Sequence, residues 1–188
     1  NAVLTPGHGV QTIAVQPDGK VLFNLVTSNG TYRNGIARLN ANGSLDTSFD
    51  PSTLAGDIVG IIALQPDGKV ITGGYFVAVD GSLHSRITRL NANGSLDSSF
   101  IPGTGPNGGV GRVVLQPDGK ILLRGSFTKV NGTNRNGIAR LTANGTLDGS
   151  FNPDTGTING YGIHYVAAPS GGKVIIWGDT NVNGTNRY

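Results

Sequence analysis

The chain has 188 residues, enough to bury a sizeable core as one domain, with a formal net charge of +3 and only 13% charged residues, about half the usual share. All eleven acidic residues are Asp, Cys and Met are absent, and Gly is the commonest residue at 31, so helix-forming composition is poor and a disulfide framework or thiolate metal site is excluded. The basic residues are spread evenly with no stripe of interleaved aromatics, which argues against nucleic acid, and no apolar run approaches the roughly 20 residues of a membrane-spanning helix.

Read in order, the chain repeats itself. VQPDGK at 15–20 recurs as LQPDGK at 64–69 and 115–120, and in altered form as APSGGK at 168–173. The period of about 50 residues divides one repeat domain, 1–188, into units 1–49, 50–100, 101–151 and a partial fourth, 152–188. In the first unit a strand is expected over Val10 to Gln16. Pro17-Asp18-Gly19 then turns the chain, with Pro fixing φ and Gly taking the left-handed position of a three-residue hairpin loop. A second strand runs from Lys20 to about Val26, and a loop covers Ser28 to Arg33. The third strand is Gly35 to Asn40, Ala41-Asn42-Gly43 is a second tight turn, and Leu45 to Phe49 is the fourth strand.

The later units follow the same plan. Their second strands are KVITGGYF at 69–76, KILLRGSF at 120–127 and KVIIWGDT at 173–180. Gly74, Gly125 and Gly178 share one aligned position inside that strand, which suggests close approach of neighbouring backbone. Each complete unit closes on one phrase: NANGSLDTSF at 40–49, NANGSLDSSF at 91–100 and TANGTLDGSF at 142–151. A four-stranded antiparallel unit of this size cannot bury both its faces alone. Radial stacking buries them, so the expected fold is all-β: a β-propeller or propeller segment of about four four-stranded blades, the last incomplete.

LQPDGK, a strand, VNGT at Val130 to Thr133, RNGIARL at Arg135 to Leu141 and ANGTLDGSF together resemble the delta-sixty repeat family. That resemblance covers essentially the whole chain. It implies propeller-type blades in tandem in large secreted bacterial proteins, hence an extracellular or cell-surface location, and it implies no established activity. An incomplete fourth unit leaves three expected arrangements: a segment of a longer propeller, a small ring with one defective blade, or completion by a second copy.

Candidate chemistry is sparse. With a three-residue loop, Arg38 faces Asp46, and Arg89–Asp97 and Arg140–Asp148 repeat the pair. These are expected to be cross-strand ion pairs of roughly 0.2–1 kcal/mol each. Arg33, His84, Arg135 and Arg187 share one loop position, so they would form a cationic arc suited to acidic polysaccharide or a partner's carboxylates. Trp177 stands where other units have Asn24, Gly73 and Arg124; with Tyr161 and Tyr165 nearby it could stack on sugar rings or pack against a terminal blade. His8, His84 and His164 sit at unrelated repeat positions, and there is no DxDxDG loop, so neither a metal nor a cofactor is expected. With no Glu, no Cys and no GxSxG elbow, and with every repeated Asp in a turn or a pair, the chain is not read as an enzyme. Asp57 and Asp179 are less regular but have no evident partner. The expected function is a structural or adhesive scaffold whose partners are other copies or the rest of a longer chain. The alternative is a carbohydrate-binding module of a larger secreted protein.

Overall fold

A computed structural model describes residues 10, 12–24, 27–28, 31–32, 35–51, 59–74, 78–79, 82–83, 86–153, 165–169, 173–177, 180–182 and 185–187. Among them every regular element is a strand. The first repeat has β1 (Ile13–Val15), β2 (Val21–Phe23), β3 (Thr27–Ser28), β4 (Thr31–Tyr32) and β5 (Ala37–Leu39). The second has β6 (Val59–Leu64), β7 (Val70–Gly74), β8 (Ala78–Val79), β9 (Ser82–Leu83) and β10 (Ile87–Leu90). The third has β11 (Val110–Leu115), β12 (Ile121–Gly125), β13 (Lys129–Val130), β14 (Thr133–Asn134) and β15 (Ile138–Leu141). The fourth has β16 (Tyr165–Ala167), β17 (Ile175–Trp177), β18 (Thr180–Val182) and β19 (Thr185–Arg187).

The three complete repeats build the same antiparallel sheet, in the orders β1-β2-β5, β6-β7-β10 and β11-β12-β15. The Pro-Asp-Gly turn sets the first hairpin. Gly19 has φ +80, its N–H donates to Gln16 O at 2.9 Å, and Gln16 N–H donates to Lys20 O at 2.8 Å. Asp18 Oδ1 accepts the Lys20 N–H at 3.1 Å, so the Asp locks the loop it starts. The register is Val15↔Val21, and the same geometry gives Leu64↔Val70 and Leu115↔Ile121.

The expected fourth strand is reduced to a single bridge in each sheet: Leu39↔Leu45, Leu90↔Leu96 and Leu141↔Leu147. Its next residue is the reason. Asp46 Oδ1 accepts both the N–H and the hydroxyl of Ser48, at 3.0 and 2.5 Å, which bends the backbone out of the ladder. Asp97–Ser99 and Asp148–Ser150 do the same. The segment expected as a loop instead holds a two-stranded ribbon, as in β13–β14. Its turn is Asn131-Gly132, with φ of 50° and 75°, the combination that closes a two-residue hairpin.

The sheets pack face to face, and the second and third each have a face toward the preceding repeat and a face toward the next. Between the first and second sheets lie Leu22, Ile36 and Phe49 against Ile62, Val70 and Leu90. Between the second and third lie Ile71, Ile87 and Phe100 against Val113, Ile121, Leu123 and Leu141. Leu122 and Ile138 of the third meet Val166 and Ile176 of the fourth. Strands covered on both faces carry near-continuous apolar sequence, and β7 is buried at all five positions. Inside β12, Gly125 leaves no room for a side chain, since a Cβ there would strike the Gly109 carbonyl.

The second tight turn distinguishes free from packed glycines. Gly43, Gly94 and Gly145 all have positive φ, at 81°, 93° and 94°. A Cβ on Gly43 would meet nothing within 4 Å, whereas on Gly94 it would lie 2.9 Å from Asp50 N and on Gly145 2.9 Å from the Phe100 ring. Gly43→Ala is therefore expected to cost about 1 kcal/mol, the left-handed backbone penalty alone. Gly94→Ala adds a clash with the Asp50–Pro51 backbone that opens the repeat and is expected to cost at least about 2 kcal/mol. Urea unfolding of the two variants checks the difference; equal losses would mean the turn does not pack as described.

Candidate functional site

In each complete repeat an arginine and a lysine approach one aspartate. In the first, Arg38 on β5 donates from Nε to Asp46 Oδ2 at 2.9 Å, and Lys20 at the start of β2 donates to the same oxygen at 3.0 Å. Oδ1 takes the two donors from Ser48. The second repeat matches this with Arg89 at 2.7 Å and Lys69 at 2.8 Å from Asp97 Oδ2. In the third, Arg140 Nε lies 2.8 Å from Asp148 Oδ2, and Lys120 stands 3.7 Å from Asp148 and 3.3 Å from Asp118. Each guanidinium also lies over the Phe that closes its repeat: Phe49 at 4.7 Å, Phe100 at 5.0 Å and Phe151 at 4.7 Å.

The electrostatics follow from these donors. Burial pushes the Asp46 carboxyl upward, but hydrogen bonds from Ser48, Lys20 and Arg38 outweigh it and hold the group well below the usual carboxylate range. Asp97 is opposed and held in the same way, with Lys69 as the strongest donor. For Asp148 the Ser150 hydroxyl is the largest influence, and the group falls to about 2. A carboxylate that is ionised and saturated with donors is poor at exchanging protons. The site is built to hold charge in place.

The same arginines reach the next repeat. Arg38 Nη1 donates to Ala92 O at 2.7 Å, and Arg89 Nη1 donates to Ala143 O at 2.8 Å. One residue along, Asp50 N–H donates to Asn93 O at 3.2 Å and Ile101 N–H to Asn144 O at 2.7 Å. The Ala-Asn-Gly turn of one repeat is thus held by the arginine of the repeat before it and by the first residue of its own repeat.

The other residues singled out from sequence scatter. Arg135 is not an exposed cation: it is 8% exposed and donates from Nη1 to Asn134 O at 2.7 Å. Arg33, His84, Tyr161, His8, His164, Asp57 and Asp179 lie outside the described residues, and of Arg187 only the backbone, in β19, is described. Trp177 and Tyr165 are brought together, directly opposed across β16–β17 and 64% and 45% exposed. Arg112, not anticipated, lies 4.2 Å over the Tyr165 ring. Among the described residues no three His, Asp or Glu side chains converge as a metal site would need. Also unanticipated were the serines on Asp46, Asp97 and Asp148 and the acceptor role of Ala92 and Ala143. For the serines the signal was present, since Ser48, Ser99 and Ser150 recur at a fixed place in the closing phrase.

The family model described as "Domain of unknown function (DUF5122) beta-propeller" matches residues 16–49, 65–100 and 116–151, together more than half of the chain. No curated protein and no solved structure matches.

Two outcomes are expected from the aspartate network. Asp97→Ala leaves Arg89 and Lys69 without their anion and should lower stability by about 3 kcal/mol in urea unfolding. Stability should also depend on acid in a defined window. Because the folded-state values are depressed, the contribution is fully present above the unfolded carboxylate value of 3.8 and is lost as pH falls toward about 2, where Asp148 titrates. Unfolding midpoints that stay flat from pH 5 to pH 2 would contradict the network.

Proposed function

The chain belongs to the DUF5122 β-propeller family, and from that premise we propose that it is a non-enzymatic, extracellular structural or adhesive scaffold built from repeats of the delta-sixty kind. The carrying observation is that the recurrent ionisable groups of the complete repeats are consumed within the fold. Asp46 and Asp97 each accept from an arginine, a lysine and a serine, Asp148 accepts from Arg140 and Ser150 with Lys120 3.7 Å away, and Arg38 and Arg89 each donate from Nη1 to the next repeat. In this reading units 1–49, 50–100 and 101–151 each count as one blade. Their function is to stack and to extend the array, in contact with other copies or with further repeats of a longer chain.

Exposed apolar faces at both ends of the stack support assembly. Ile13 and Val15 of the first sheet are 63% and 66% exposed, and Ile175 and Trp177 of the fourth are 55% and 64% exposed. In the first sheet, Ile13 and Val15 lie at the repeat positions that Ile62 and Leu64 use to pack on the preceding sheet.

One observation favours a second reading, a carbohydrate-binding module. Trp177 and Tyr165 form an exposed aromatic ledge with a guanidinium beside it, a surface on which a sugar ring can stack. A glycan array and native mass spectrometry separate the two. The scaffold reading expects multiples of the 19.3 kDa chain and no glycan binding. Glycan binding abolished by Trp177→Ala would overturn it in favour of the module, and turnover in a glycoside or lactone screen would overturn the non-enzymatic part.

A further inference from the structure

Arg86 stands where the backbone asks for glycine. It immediately precedes β10, and the residues at the same repeat position are Gly35 and Gly137. Residues 35, 86 and 137 all have positive φ, at 99°, 65° and 73°. The conformation belongs to the fold. The carbonyl of Arg86 accepts from Gly74 N–H at 3.1 Å, and that of Gly137 from Gly125 N–H at 3.0 Å, where the third strand of each sheet joins the second. A residue as bulky as Arg is strained there. Among the described residues Asn131 is the other non-glycine with positive φ, and it closes a hairpin turn that suits it. Strain of this kind persists where the surrounding structure requires the residue. Arg86 reaches into the next repeat: its Nη1 donates to Pro106 O at 3.0 Å.

The acceptor is placed for it. Gly105 to Asn107 lead into the third sheet and lie along β13 as an added strand of the ribbon. Asn131 N–H donates to Gly105 O at 3.0 Å, Asn107 N–H donates to Lys129 O at 3.0 Å, and Pro106 is bridged to Val130. Side chains fix the same segment. Asn131 Oδ1 accepts from Gly105 N–H at 2.8 Å, and Asn107 Oδ1 accepts from the Thr128 and Lys129 N–H groups, each at 2.9 Å. Successive residues of a strand turn their backbone groups to opposite sides, so Pro106 O faces away from the ribbon. Pro106 is buried, and a buried carbonyl without a donor is costly. Among the described residues its donor is Arg86.

We infer that Arg86 is a strap private to this junction: strained backbone in the second repeat holds the lead-in of the third. Arg89, toward the other end of β10, makes the clasp it shares with Arg38. The second and third repeats are thus tied at both ends of one strand. The junction before them has a contact of its own. Thr12 Oγ1 donates to Gly60 O at 2.7 Å, and at the position of Thr12 the second repeat has Ile61, which has no side-chain donor. Each of these junctions therefore joins the common arginine clasp to a contact the other lacks. The lead-in and ribbon of the third repeat swing away from the second sheet only by breaking the Arg86 bond. In a stack whose repeats contact only their neighbours, such a strap stiffens one interface without altering the repeat itself.

Amide hydrogen exchange on the 188-residue protein reads the strap. Arg86→Gly installs the residue of the first and third repeats and suits the positive φ, so the variant is expected to fold. The Asn107 and Asn131 amides, which bond the lead-in to the ribbon, should exchange at least about tenfold faster in it. The Gln116 and Gly119 amides of the Pro-Asp-Gly turn, at the other end of the third sheet, should keep their wild-type rates. Arg86→Asn, which tolerates the left-handed backbone but is too short to reach Pro106, should match Arg86→Gly. Unchanged exchange at Asn107 and Asn131 overturns the inference, above all if Arg86→Gly also raises the melting temperature, since Arg86 would then be strained without a hold. Equal acceleration at the turn amides overturns it as well, because the loss would be global rather than at the strap. Glycan binding would sink the scaffold reading and leave this result untouched.

Discussion

An arginine that serves two repeats at once holds this architecture together. Arg38 fixes Asp46 with Nε and the Ala92 carbonyl with Nη1 while its plane rests on Phe49. Arg89 does the same with Asp97, Ala143 and Phe100. A guanidinium suits this task because its donors diverge in a rigid plane whose face is weakly hydrated and stacks on an aromatic ring. A lysine could satisfy the aspartate but not the neighbour's carbonyl in the same pose. The aspartate must stay ionised for the arrangement to stand, and its serine and lysine donors keep it so. Local turn chemistry and inter-repeat packing are therefore one device.

That device explains why the closing phrase varies so little. Asp46 ends the ladder, Ser48 turns the chain, Phe49 supports the arginine, and the Ala-Asn-Gly turn is what the preceding repeat grips. The glycines at 94 and 145 are held by two constraints together, a positive φ and a neighbour within 3 Å. Gly43 carries only the first. The same three letters thus do different physical work according to whether a repeat lies behind them.

Much of this was legible in the sequence. The period, the hairpin with Gly19 in the left-handed position and the facing of Leu39 and Leu45 follow from turn chemistry and pleat alternation, which are local rules. The fourth strand was misjudged because its alternation, Leu45 to Phe49, reads as a strand. A side-chain bond from Asp46 to Ser48 outcompetes the ladder, and apolar pattern does not register that competition. The ribbon at β13–β14 was passed over although Asn131-Gly132 is a hairpin signal, since two-residue strands leave too little alternation to count. Of the expected cationic arc, Arg135 is buried and donates to the Asn134 carbonyl, which its loop position in the sequence does not reveal. The arginine-to-alanine clasp was beyond sequence reasoning, because nothing local distinguishes a carbonyl that a neighbour will bind.

The fourth repeat shows how such a device is relinquished. APSGGK replaces the Gln and Asp of the first hairpin, removing the amide that sits by the clasp and the carboxylate that locks the loop. Exposed aromatic and aliphatic side chains appear instead: Tyr165, Ile175 and Trp177. Behind them the third repeat has Arg112 where the second has Ile61, and Arg112 covers the Tyr165 ring. Specific polar contacts thus give way to broad apolar surface at this end of the stack.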